Sequence, residues 1–297
     1  MTKSVLILGA SGKIGTHAAR AFGAAGWDVR RFNRDKDDMS EAAHGCEVIV
    51  NGMNPPNYHD WAGILPVITR QVIAASKASG ATVILPGNVY NFGDTPGEWS
   101  EETEHRPVSR KGRVRADMER AYRDSGVPTI ILRAGNFIDP DRDGDVMSVI
   151  VLNAIQRGKM IYPGPGDVMQ PWCYLPDWAR AAEMLASRKA GLRQFEDVPF
   201  PGHALTMNEL REAVEAELGT TLRVGRFPWW AMRAAAPFWE LARELTEMRY
   251  LWETSHSLSP HRLNELLPDF HETPLRIVIR DALPDQLRAP EVKRIAA

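Results

Sequence analysis

Gly9-Ala10-Ser11-Gly12-Lys13-Ile14-Gly15 is the stretch of this chain whose residue types and spacing point most directly to a chemistry. It follows Ser4-Val5-Leu6-Ile7-Leu8, an apolar, β-prone run. It leads into a helical pattern with Ile14, Ala18, Ala21, Phe22 and Ala25 on one face and Gly26 as a stop. Strand, glycine turn and helix in immediate succession open a dinucleotide-binding βαβ unit. Gly9 permits the tight turn, Gly12 lets the backbone approach a pyrophosphate, and Gly15 lets the helix pack close to the strand. The free N–H groups of the helix N-terminus then face the anion.

Elements able to position such a site follow along the chain. Strand-like runs occur at Val29-Arg30-Arg31-Phe32, Glu47-Val48-Ile49-Val50, Ala81-Thr82-Val83-Ile84-Leu85 and Pro128-Thr129-Ile130-Ile131-Leu132. Helical patterns over 61–79 and 111–125 lie between them, each closed by Ser-Gly. This alternation predicts an α/β fold, a doubly wound parallel sheet with helices on both faces. From Asp139 onward Pro140, Pro163, Gly164, Pro165, Gly166 and Pro171 interrupt the pattern. Helices are expected over 146–157, 177–187, 207–218, 230–249 and 261–267. The division expected is a dinucleotide-binding core over 1–138, with return segments from 165–200, and a smaller, mainly helical substrate lobe over 139–297 with a short strand pair. Trp229, Trp230, Trp239 and Trp252 read either as packing of that lobe or as a hydrophobic lid.

The 297 residues suffice for a large core, and the net charge of −2 argues against nucleic acid or an anionic membrane as the main partner. Two cysteines, Cys46 and Cys173, stand in no ligand spacing and suggest a reducing compartment. The run at Ser4 is too short for a signal peptide, and charges interrupt the apolar stretch 227–252, so a cytoplasmic protein is expected. No metal site is expected. The histidines show no metal spacing, and His256 and His261 read as surface. Asp139, Asp141, Asp143 and Asp145 lack the closing Glu of a calcium loop and read as a polar loop at the mouth of a cleft.

The Gly-x-x-Gly-x-x-Gly spacing resembles the short-chain dehydrogenase/reductase superfamily, in particular its extended and atypical branches, which are epimerase/dehydratase-like. Asn88-Val89-Tyr90-Asn91-Phe92-Gly93, Leu132-Arg133-Ala134-Gly135-Asn136-Phe137, Trp172-Cys173-Tyr174-Leu175-Pro176-Asp177 and Leu267-Pro268-Asp269-Phe270 are similar to further motifs of those branches, in the same order. The chain departs from them in two places. Residues 33–46 leave room only for a linker and a short helix over 39–44, so the third strand is expected to be missing or vestigial. Where active members carry Ser or Thr, Tyr and Lys, the register places Pro86, Lys111 and Arg115, with Glu119 confirming it.

Two readings of that departure stand side by side. In one, Lys111 is the proton donor, perturbed by Arg110, Arg113 and Arg115 or by burial, Arg115 holds the nicotinamide ribose or a substrate anion, and Asn88 or Tyr90 orients the substrate. In the other, Arg106, Arg110, Lys111, Arg113 and Arg115 are a solvated or anion-binding cluster. The resemblance implies an oxidoreductase or epimerase-like enzyme acting on a small carbonyl or hydroxyl compound, or a catalytically silent dinucleotide sensor. The cofactor-binding set is Gly9, Ser11, Gly12, Lys13, Ile14, Gly15, Asn33, Arg34, Gly52, Met53 and Asn54. Asn33 and Arg34 replace the acidic residue that receives the ribose hydroxyls in NAD-specific members, so NADP is expected over NAD. A homodimer through the helices over 61–79 and 111–125 is also implied.

Overall fold

Alternation along the first strand already requires two cores. In β1 (Ser4–Leu8), Val5 and Ile7 enter one apolar cluster while Leu6 and Leu8 enter another, as expected of a strand covered on both faces. The structure, a computed structural model, describes residues 3–288. The chain continues through α1 (Lys13–Ala24), β2 (Asp28–Arg31), α2 (Met39–Ala43), β3 (Val48–Asn51), α3 (Trp61–Ser79), β4 (Thr82–Gly87), β5 (Gly97–Trp99), α4 (Arg110–Ser125), β6 (Thr129–Arg133) and β7 (Asn136–Ile138). Next come β8 (Lys159–Tyr162), β9 (Met169–Tyr174), α5 (Leu175–Ser187), β10 (Phe195–Pro199), β11 (His203–Thr206) and α6 (Met207–Leu218). The remaining elements are β12 (Arg223–Arg226), α7 (Trp229–Ala235), α8 (Glu240–Glu247), β13 (His256–Leu258), α9 (His261–Leu266) and α10 (Leu275–Ala282).

Six parallel strands form the main sheet in the order β10-β6-β4-β3-β1-β2. The order reverses at β1, which places the glycine turn at the switch point where open α/β sheets bind ligands. β2 is the edge, and among the described residues no strand lies beyond it. The chain goes from β2 through a turn and the five-residue α2 straight back to β3 beside β1, so the third strand is lost as expected. Asp28, Arg30 and Arg31 are exposed on that edge, where charge discourages pairing with another chain.

α1 and α5 cover one face of the sheet, with Phe22, Trp178 and Leu185 fully buried against Val5 and Ile7. α3 and α4 cover the other, where Val72, Met118 and Tyr122 meet Leu6, Leu8 and Ile49. A separate cluster around Met160, Trp172, Leu210, Trp252 and Val278 makes the core of the smaller lobe.

The lobe differs from expectation in three respects. It carries more sheet than one strand pair: β11-β9-β7, β12-β8 and β13-β5, whose members are mostly three or four residues long. Strands so short, punctuated by Pro and Gly, leave no readable alternation. The helix expected over 146–157 is a π turn at Met147–Val151 and a 3₁₀ turn at Ile155–Arg157. The helix expected over 230–249 breaks into α7 and α8 around Pro237, since a proline removes a helical N–H and disfavours helix in the residue before it. Trp229 and Trp252 pack in the lobe core, whereas Trp230 and Trp239 are exposed. No helix among the described residues is long and apolar enough to cross a membrane.

Candidate functional site

The ends of β1 and β3 and the start of α1 converge on three glycines. Gly9 has φ +68°, and a Cβ on it would lie 2.8 Å from the Gly52 carbonyl oxygen. A Cβ on Gly15 would collide with the Gly9 carbonyl, and one on Gly52 would lie 3.0 Å from the Leu8 oxygen. Backbone therefore meets backbone on all sides of the turn. Gly12 caps α1 without a side-chain hydrogen bond, and the first turn contains no acidic residue. An uncapped, acid-free N-terminus at a switch point suits a pyrophosphate. Gly9, Ser11, Gly12, Ile14, Gly15 and Gly52 thus sit together as the sequence placed them.

Lys13 of the same turn is paired with carboxylates. Its Nζ lies 3.0 Å from Asp139 Oδ2 and 3.7 Å from Asp145 Oδ2, so two carboxylates already neutralise it. At the end of β2 the Asn33 N–H donates to Asp37 Oδ2 at 2.7 Å, and the Asn33 side chain accepts the Asp35 N–H at 3.0 Å. Arg34 is 86% exposed, with Asp35 at 3.8 Å as its ion-pair partner. The sequence reading gave Asn33 and Arg34 the leading role here, with Asp35, Asp37 and Asp38 as nearby carboxylates able to repel a 2′-phosphate; of these, Asp37 is the one whose carboxylate bonds the Asn33 N–H at the strand end.

At the opposite side of the sheet edge, Arg115 Nη2 donates to Asn54 Oδ1 at 2.7 Å, and its guanidinium lies 4.5 Å from the Trp61 ring centroid. Burial lowers the Arg115 pKa from its usual value, and its Nε is buried without a hydrogen-bond partner. Such an orphaned donor suits a site built to receive an acceptor. The Tyr58 and Tyr90 hydroxyls are 3.3 Å apart. Burial raises both phenols, Tyr90 well above its ordinary value. Asn88 closes its own turn, its Oδ1 accepting the Tyr90 N–H at 3.1 Å and its carbonyl accepting Arg133 at 2.7 Å. Met53 donates its N–H to Asn51 Oδ1 at 3.2 Å in the same segment.

Tyr58 escaped the sequence reading. The signal for it is conformational: Asn57, Tyr58 and Asp60 all have positive φ (53°, 61° and 39°) between β3 and α3. Non-glycine residues held there cost energy, and such strain collects at ligand-binding segments.

Lys111 is 2% exposed and donates to Glu244 Oε2 and Glu247 Oε2, both at 2.6 Å. Arg110 reaches Glu244 Oε1 at 2.5 Å. Burial would raise the Glu244 carboxyl, but the hydrogen bonds from Lys111 and Arg110 bring it down to about 2. The sequence offered neighbouring arginines or burial around Lys111; burial is present, and the carboxylates of α8 at i and i+3, which the sequence did not suggest, are what the ammonium meets. Beside this cluster lies a cavity of about 170 Å³ lined by Tyr58, Trp61, Lys111, Val114, Arg243 and Glu244.

Among the described residues two groups of three His and acidic side chains are compact enough to suggest a metal: His17, Asp139 and Asp141, and His105, Glu119 and Asp197. Cations already fill both. Lys13 and Arg20 pair with Asp139 and Asp141, and the buried Arg133 bonds both Glu119 and Asp197. His256 is not at the surface as expected. It is buried, its ring stacked 4.3 Å from that of Trp99, and burial pushes its pKa down to about 4. The aspartates of residues 139–145 line a cavity of about 420 Å³ and also reach back onto α1.

No protein-family model matches the sequence, and no curated protein matches it. Solved structures do match across nearly the whole chain. MoeE5, solved with UDP-glucose and NAD, is 15% identical, with 94% of this chain and 97% of that one covered at a TM-score of 0.74. UDP-glucuronic acid 4-epimerase from Bacillus cereus, solved with UDP-glucuronic acid and NAD, is 13% identical over 94% and 97%, with a TM-score of 0.71. L-threonine dehydrogenase from Phytophthora infestans is 18% identical over 94% and 97%, with a TM-score of 0.70. The architecture is the Rossmann-type fold of the NAD-dependent epimerases and dehydrogenases, the fold the motifs implied.

Proposed function

We propose that this chain binds NAD(H) in the glycine cradle and acts as an oxidoreductase or epimerase-like enzyme on a small carbonyl or hydroxyl compound. The cradle carries the proposal: Gly9, Gly15 and Gly52 leave room only for backbone, beneath the uncapped helix N-terminus at Gly12. Two of the three similar structures named above contain NAD. The sequence argument favoured NADP through Arg34 and Lys13. The Asp37 carboxylate at the end of β2 and the neutralisation of Lys13 weigh instead toward ribose hydroxyls.

A nicotinamide bound there supplies hydride transfer. The chain's own residues must hold the substrate and move a proton. Arg115, held by Asn54 and with its Nε unpartnered, is the proposed donor to an oxygen acceptor. Lys111, in the register of the missing Tyr and at the wall of the small cavity, is the proposed donor of the proton to the substrate oxygen. Calorimetric titration tests the binding, and a panel of carbonyls and alcohols with NADH or NAD tests turnover. A chain that binds neither NADH nor NADPH ends this reading.

The second reading is a dinucleotide-binding sensor without turnover. One observation favours it: Glu244 and Glu247 both engage the Lys111 ammonium, which leaves the proposed donor tied to α8. Tight binding with no turnover on any panel member decides for it.

A homodimer through α3 and α4 belongs to the same proposal, with Ala62, Gly63, Pro66 and Val67 exposed along α3. Light scattering giving a single 33.2 kDa species decides against it. The proposed location is the cytoplasm, in keeping with two free, buried cysteines.

A further inference from the structure

We infer that the loop formed by residues 139–145 is a clamp for the pyrophosphate of the bound dinucleotide, with Arg142 as the cation that reaches it. The inference rests on the dinucleotide reading above and adds a binding element from outside the βαβ unit. Arg142 Nη1 donates to the Ser11 carbonyl at 2.5 Å, so the guanidinium lies against the glycine turn itself. A neutral carbonyl is a poor match for a guanidinium, which pairs bidentately and far more strongly with phosphate. Among the described residues Arg142 has no carboxylate partner, unlike Lys13 and Arg20 nearby.

The rest of the loop is built to hold that side chain in place. Asp139 is buried and accepts from His17 Nε2 at 2.9 Å and from Lys13 Nζ at 3.0 Å. Asp141 pairs with Arg20 at 2.7 Å. Asp145 accepts the N–H groups of Ser148 and Asp139, at 2.8 and 3.2 Å. Lys13 Nζ also donates to the Arg142 carbonyl at 2.5 Å, which pins the backbone at the tip. These contacts pair three of the loop's four carboxylates with Lys13, His17, Arg20 or backbone N–H groups and leave the Arg142 side chain exposed. They also explain why Lys13, the basic residue inside the glycine motif, does not serve as counter-charge: it anchors the loop, and Arg142 takes over its electrostatic role. An arriving pyrophosphate needs only a side-chain rotation of Arg142 from the Ser11 carbonyl onto its oxygens.

The test is calorimetric titration of the full chain and of Arg142→Ala and Arg142→Lys with NADH, ADP-ribose and adenosine. Loss of one charge-assisted contact predicts that Arg142→Ala weakens NADH and ADP-ribose alike, by about 10–100-fold, and leaves adenosine unchanged. Arg142→Lys should recover part of the loss, and the salt dependence of NADH binding should be shallower in Arg142→Ala. Arg142 is exposed, so thermal stability should stay at the wild-type value. Wild-type affinity for NADH in Arg142→Ala overturns the clamp while leaving the dinucleotide site standing. A wild-type chain that binds neither NADH nor ADP-ribose overturns both.

Discussion

Lys111 on α4 and Glu244 on α8 form a nearly dry ion pair, Nζ to Oε2 2.6 Å, with both side chains 2% exposed. The pair joins the main-sheet half of the molecule to the smaller lobe at the wall of the cavity of about 170 Å³. A buried pair gains little over an apolar replacement, but removing one partner strands the other charge at a cost of about 3–5 kcal/mol. Lys111→Met leaves Glu244 with Arg110 and Arg243 at its other oxygen, so it should destabilise by less than that, and Lys111→Met/Glu244→Gln should recover most of the loss in urea unfolding. Equal stability of the single and double variants would show that the carboxylate is solvated when alone.

The same double variant separates a structural role from a chemical one. In the Glu244→Gln background, Lys111→Met should lower turnover by about 10²–10⁴-fold if Lys111 is the proton donor, with NADH affinity nearly unchanged. Full turnover in the double variant places the donor elsewhere, with the Tyr58 and Tyr90 hydroxyls next in line.

Acid should loosen this junction in a defined window. Glu244 is held at about 2, below its ordinary 4.5, chiefly because Lys111 and Arg110 overcome the effect of burial. A depressed carboxylate contributes stability that is present above about pH 4.5 and is lost as pH falls toward 2. Tryptophan fluorescence, which reports on Trp229 and Trp252 in the lobe core, should show a transition in that range. Glu244→Gln should flatten it.

The strand–glycine turn–helix opening of the sheet was legible because its signals are local. Gly9, Gly12 and Gly15 follow an apolar strand directly, and the missing third strand could be read from the length of residues 33–46 alone. α3 and α6 begin and end where caps and glycines put them. What the sequence concealed depends on distance along the chain. Glu244 lies more than a hundred residues from Lys111, and Asp139 as far from Lys13 and His17, so charges that read as free are neutralised on folding. His256 looked like a loop residue because nothing in its neighbourhood announces Trp99. Strands of three or four residues have too few positions for a period to show.

Glycine substitution tests the cradle independently of any charge. Gly9→Ala must adopt φ +68° with its Cβ 2.8 Å from the Gly52 oxygen, both against the grain for an L-residue. It should unfold at lower denaturant and lose dinucleotide binding together. Gly26→Ala, at φ +82° with no atom within 4 Å of the added Cβ, is the control. It should cost stability without touching affinity. Retained NADH binding in a folded Gly9→Ala would remove the cradle from the binding site.

Cofactor choice turns on the end of β2. Asp37 Oδ2 accepts the Asn33 N–H at 2.7 Å, which places a carboxylate where the adenosine ribose of a dinucleotide lies in this fold, while Arg34 stands exposed beside it. A carboxylate accepts hydrogen bonds from ribose hydroxyls and repels a 2′-phosphate; a guanidinium does the reverse. With Lys13 neutralised by Asp139 and Asp145, the balance should lie with the hydroxyls, and NADH should bind more tightly than NADPH. Asp37→Asn keeps the size of the side chain and removes its charge, which should shift the NADPH-to-NADH affinity ratio upward by about tenfold. Arg34→Ala should shift it the other way. If NADPH binds more tightly than NADH to the wild type and Asp37→Asn leaves the ratio unchanged, Arg34 governs the site and the Asp37 carboxylate only shapes the turn.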